Sequence, residues 1–209
     1  MTIVQTIQTI TDWIGENVCA KIKLKLPDDS NTSAEYTPTE VQPTAFAMFQ
    51  PGKDKLPPNV LSPFPSVVVQ LLEGTDKATE GSGTIKIQLS FTAWNPGDHG
   101  TEFKRATGVP TASGNTELAV NLASCEGQPA FSRNGGGWAD VWSFVDRALQ
   151  AIETTEYIGD ARVAKENAIT FGQFQQEGQI SDLYPYWGAW VIFTIERATV
   201  KGDPLAKLL

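Results

Sequence analysis

With 209 residues, 41% hydrophobic content and a net charge of −8, the chain is long enough to bury about 70% of its unfolded surface and too apolar to be disordered throughout. Its acidic balance argues against a nucleic-acid-binding surface, which normally carries a basic patch; it serves solubility and suits a surface past which DNA slides, because carboxylates repel phosphates. No apolar run approaches the ~18 residues that span a bilayer, and the N-terminus lacks the basic region and small-residue cleavage site of a signal peptide, so no membrane partner is expected.

Residues 2–19 predict an amphipathic helix. Ile3, Ile7, Ile10, Trp13, Ile14 and Val18 share one stripe, and Gln5, Gln8, Asp12 and Glu16 take the other side. Lys21 to Leu26 alternates lysine with apolar residues and predicts a short strand with a solvated lysine face. Between Pro27 and Pro65 lie eight of the thirteen prolines. Proline fixes φ and removes a ladder donor, so this stretch reads as an extended loop or arm, with a subunit-spanning arm and a plain insertion equally open.

Ser66 to Glu73 is nearly all apolar and predicts a central strand. Gly74 to Gly83 reads as a polar tip, and Thr84 to Trp94 alternates with Ile85, Ile87, Leu89, Phe91 and Ala93 inward; the two form a hairpin. Asn95 to Gly137 is rich in Gly, Ser, Thr and Asn, with a short helical turn expected within 117–124. Trp138 to Thr155 predicts a second helix on the stripe Val141, Phe144, Val145, Ala148, Leu149 and Ile152. Arg162 to Phe174 and Tyr184 to Ala198 predict a second hairpin, with Trp187, Ala189, Val191, Phe193 and Ile195 on one face of its last strand. The Leu-rich tail after Thr199 is expected to dock on a neighbour or fray.

This order predicts an α+β fold: a roughly four-stranded, mainly antiparallel sheet with two helices packed on one face. We read 1–209 as a single domain, with long loop or arm insertions at 27–62 and 96–136. The other sheet face is expected to be of mixed polarity, with Trp94, Trp190 and Ile192 pointing that way, which suits subunit packing better than open water.

No stretch carries catalytic chemistry. His99, the lone histidine, sits beside Asp98 in Asn95-Pro96-Gly97-Asp98-His99-Gly100; this is turn chemistry without a nucleophile motif. Gly135-Gly136-Gly137 precedes a helix, but Trp138-Ala139 stand where a phosphate loop needs Lys-Ser/Thr, so the glycines read as a flexible approach to the helix. Cys19 and Cys125 have no metal spacing and read as free thiols of a protein made inside the cell, which leaves the sequon at Asn31 without meaning. The carboxylates form neither a calcium loop nor a close pair and read as solvated surface. We therefore expect no enzyme activity, no cofactor and no metal. The aromatic residues are more informative. Near strand ends they stack on sugars or anchor protein interfaces, and core packing competes with both. The candidate interface residues are Trp94, His99, Phe103, Tyr184, Tyr186 and Trp187.

Four pieces, about 120 residues together, resemble the phage tail terminator family. Pro63-Phe64-Pro65-Ser66 to Gly74 resembles its first strand, with a Pro–aromatic–Pro start before a hydrophobic run. Ile85 to Asn95 resembles a strand ending in a Trp-Asn corner, Gly137 to Ile152 its central helix, and Tyr184-Pro185-Tyr186-Trp187 the start of its last strand. The N-terminal helix also fits. The resemblance implies a non-enzymatic virion protein, assembled in the host cytoplasm. Six copies would form a ring that caps the head-proximal end of the tail tube and stops its polymerisation. The implied partners are sister copies, the tail tube protein, a neck or head–tail connector protein and, in a contractile tail, the sheath protein. DNA would pass through the lumen without specific binding. Another neck or tail component is the alternative within the virion, and a carbohydrate-binding module using Trp94 and Trp187 as platforms is the alternative outside it.

Overall fold

The computed structural model describes residues 2–28, 39–77, 79–95, 137–176, 179–180 and 185–198. Helix α1 (Ile3–Asn17) starts where expected because Thr2 and Gln5 cap each other: the Gln5 N–H donates to Thr2 Oγ1, and the Thr2 N–H donates to Gln5 Oε1 at 2.9 Å. A single 3₁₀ turn (Cys19–Lys21) follows. The lysine-alternating run yields only β1 (Leu24–Lys25), paired with β2 (Glu40–Val41) in a small separate sheet.

Among the described residues the main sheet holds seven strands rather than four, is mixed rather than mainly antiparallel, and curls into a half-barrel. Its centre is the expected pair of hairpin partners. β4 (Ser66–Lys77) runs antiparallel to β5 (Ser82–Trp94), and β5 pairs along its whole length with β11 (Tyr186–Ala198), from Trp94↔Tyr186 to Ser82↔Ala198. The hairpin tip is shorter than expected. Polar partners continue the ladder past Gly74: Lys86 Nζ reaches Glu73 Oε1 at 3.0 Å, and the Thr75 and Thr84 hydroxyls meet at 2.6 Å.

Two features correct the four-strand expectation. First, the proline-rich stretch contributes β3 (Thr44–Ala47), which pairs parallel to β4 over Ser66–Val69. The four-residue run is too short and too closely bracketed by Pro43 and Pro51 to stand out by alternation. Second, the predicted strand over 162–174 is interrupted. β7 (Ala161–Val163) and β8 (Thr170–Gln173) lie end to end along β11, with 164–169 looped out between them. β6 (Tyr157–Ile158) folds back on β7. A last pair, β9 (Gln175–Gln176) with β10 (Gln179–Ile180), stands apart.

Helix α2 (Trp138–Thr154) packs on β5 and β11, and α1 packs on β3 and β4, so both helices cover one sheet face as expected. The predicted stripes are largely the buried ones, except that Ile3 is 48% exposed and Trp13 and Leu149 are half-buried. Ile10 and Ile14 of α1 and Phe144, Val145 and Ile152 of α2 meet Val67, Ile87, Leu89, Phe91, Val191 and Phe193 in one core. The Phe91 and Phe144 rings meet edge to face, 4.8 Å apart. The insertion at 96–136, including the turn expected at 117–124, and the tail from Thr199 lie outside the described residues.

Candidate functional site

Asn95 ends β5 and ties three elements together. Its backbone N–H donates to the Pro185 carbonyl at 2.9 Å, its Nδ2 donates to Asp140 Oδ2 at 2.7 Å, and its own carbonyl accepts Trp187 Nε1 at 2.8 Å. The turn before β11, the first turn of α2 and the corner after β5 thus converge on one residue that is 4% exposed. Lys25 Nζ lies 3.7 Å from the same Asp140 oxygen. Gly137 fits beneath this corner because it lacks a side chain: a Cβ there would strike the Asn95 carbonyl and lie 2.6 Å from Trp187 Nε1. The glycine before α2 therefore serves close packing rather than phosphate binding, while Gly135 and Gly136 lie outside the described residues.

Of the six candidate interface residues, the fold brings Trp94, Tyr186 and Trp187 together at this end of β5 and β11; His99, Phe103 and Tyr184 lie outside the described residues. They divide between the two faces. Trp187 faces α2. Trp94 and its register partner Tyr186 share the helix-free face, and the Tyr186 ring lies 4.8 Å from Phe64. Trp94 is 2% exposed, so its ring offers no open platform for a sugar. Tyr186 and Phe64 line a groove of about 700 Å³ with Leu26, Gln50, Pro51 and Leu61.

The rest of the helix-free face is mixed, as expected. A polar network of Gln70, Gln88 and Ser90 lies at its middle, with Ser90 Oγ 2.8 Å from Gln70 Oε1. Aromatic rings lie over two glycines. A Cβ on Gly172 would come within 2.9 Å of Trp190 Cζ2, and one on Gly188 would strike the Phe174 ring. Trp190 Nε1 is held by the Gln173 carbonyl at 3.0 Å. Trp190 and Ile192 are both half-buried.

The sheet margins were not legible in the sequence. β3 stops at Ala47 because Met48 adopts φ 66°, and the Phe49 N–H turns back to the Ala47 carbonyl at 2.8 Å. This is a γ-turn in the left-handed region, strained for a residue other than glycine. The chain leaves the sheet there, so among the described residues no strand pairs with β4 beyond Val69 on that side. Leu72, the bulged residue, is 46% exposed, and Phe49 is 70% exposed. On the opposite margin β6 covers β7 only, and β8 has no outer neighbour among the described residues; its Phe171 is 54% exposed. The one available signal was the contrast of apolar Thr44–Ala47 with its proline-rich surroundings.

Titratable groups add little at these surfaces. Burial pushes the Cys19 thiol up to about 12. Arg162 binds Glu166 and Glu196, which raises the guanidinium pKa and lowers that of Glu166 in an exposed ion cluster. Among the described residues there is no group of three or more metal-ligating side chains, and no helix is long and apolar enough to cross a membrane. No protein-family model matches the chain, and no curated protein matches it.

Proposed function

We propose that this chain is a structural protein of a phage virion, acting as a tail terminator. Six copies close into a ring on the head-proximal end of the tail tube, stop its polymerisation and present the opposite ring face to a neck or connector protein. In a contractile tail the sheath end meets the same ring. The mechanism is geometric: the two faces of a ring differ, so tube subunits add on one side only.

The observation that carries this reading is the pair of half-covered sheet margins. Among the described residues, one chain presents unfinished β-edges on both sides of the same sheet, with exposed Phe49 and Leu72 by one and Phe171 by the other. Unpaired edges of this kind invite pairing with another chain. The segments that carry the family resemblance also fall on load-carrying elements: the start of β4, β5 with its Asn95 corner, α2, and the start of β11. The net charge of −8 favours a lumen that DNA traverses without sticking.

The test is a deletion of the coding sequence followed by electron microscopy of lysates. Overlong, headless tails are expected. Tails of normal length would rule the terminator role out.

A further inference from the structure

We propose that the open margin of β4, residues 70–77, receives the β8 margin, Thr170–Gln173, of a second copy of this chain. This rests on the ring reading and assigns its subunit joint.

Strand direction permits the pairing. Three reversals separate the two margins: β4 is antiparallel to β5, β5 to β11, and β11 to β8. β4 and β8 are therefore antiparallel within one sheet, and copies related by rotation about a ring axis bring them together antiparallel. Main-chain hydrogen bonds then supply affinity, and Leu72 and Phe171 lie exposed on the two strands that pair.

The two margins are offset along the sheet. Through the β5 register, β4 70–77 lies level with β11 192–198, whereas β8 lies level with β11 189–192. The centres differ by about four to five residues, or about 15 Å at 3.3 Å per residue. Across four strands spaced about 4.8 Å apart, that offset tilts the strands by roughly 40° to the ring axis, within the range closed β-barrels require. A flat alignment of the margins would give untilted strands; the offset is what a closed, curled sheet needs. The Met48 γ-turn keeps the receiving edge clear, because a β3 continuing past Ala47 would occupy it.

The joint is heterologous, which gives it a distinctive test. Leu72→Lys blocks the receiving edge, and Phe171→Lys blocks the donating edge; Leu72 is 46% exposed, and Phe171 is 54% exposed with its ring edge to face on Trp142 at 6.3 Å, so a retained cooperative thermal melt checks that each variant folds. In light-scattering chromatography the wild type forms a closed oligomer, and each variant alone dissociates, its assembly weakened at least tenfold. Mixed, the two variants form a 1:1 dimer, since only one free edge of each kind remains. Phe49→Lys serves as a second block on the receiving side. Variants that still assemble like the wild type would overturn the joint while leaving the ring reading intact. A wild type that stays monomeric at millimolar concentration would also overturn it, and the tail-length experiment then judges the ring reading separately.

Discussion

Trp187 Nε1 donates to the carbonyl oxygen of Asn95 at 2.8 Å, across ninety-two positions of sequence. This bond fixes the start of β11 to the end of β5 and sets the floor on which α2 begins. The corner uses the amide, the side chain and the carbonyl of Asn95 at once, so it behaves as a joint that fails as a unit.

Replacing Asn95 with Ala removes the bond to Asp140 and leaves that partly buried carboxylate with a distant lysine. A loss of about 2–3 kcal/mol is expected, as for a hydrogen bond to a charged group. Trp187→Phe loses the bond and one ring of the partly buried indole, at a cost of about 1–2 kcal/mol. Urea denaturation of both variants checks the order; equal effects would contradict the corner as described.

Gly137→Ala places a methyl group against the Asn95 carbonyl and Trp187, both of them backbone-anchored or packed. We expect a loss of about 3 kcal/mol, at the upper end of overpacking effects. Gly15→Ala is the control, because nothing lies within 4 Å of a Cβ there and alanine favours a helix by about 1 kcal/mol. Thermal melts should move in opposite directions for the two variants.

Cys19 links stability to alkaline pH. Its folded thiol titrates at about 12 against an ordinary 9.0, so the folded state holds a proton that the unfolded state releases. The contribution is complete below about pH 9 and is lost between 9 and 12, at about 1.4 kcal/mol per pH unit. The stability difference between the wild type and Cys19→Ala, which cannot titrate, should therefore shrink from pH 9 to pH 11. A constant difference would contradict the burial of the thiol.

Packing and surface charge should separate clearly. Phe144 is fully buried against Phe91, and Phe144→Ala should cost about 3–5 kcal/mol. Lys86 and Glu73 form an exposed pair at 3.0 Å, and Lys86→Ala should cost under about 1 kcal/mol. Chemical denaturation of the two variants measures both.

Both helices and the three long strands were legible in the sequence because each repeats one pattern over many residues. The stripe from Ile7 to Ile14 and the alternation from Ile85 to Ala93 identify a buried face without reference to any partner. The candidate site was legible only in part. Trp94, Tyr186 and Trp187 were correctly placed near strand ends, and alternation gave the faces of Trp94 and Trp187, whereas the near-complete burial of Trp94 depends on what crosses over it. Asn95 was visible as a corner, but its three partners come from Pro185, Asp140 and Trp187, far away in the chain.

The amino-acid order by itself determined the helices, the inward faces of β4, β5 and β11, and the acidic, motif-poor character of the chain, because these follow from local periodicity and composition. Tertiary structure alone decided the number of strands and the state of the sheet margins. β3 and β6 are too short to form a pattern, and they exist as strands only because β4 and β7 offer hydrogen-bonding edges beside them. Whether a strand is covered or open is a property of its neighbours, and those neighbours are brought together by the burial of a core assembled from distant segments.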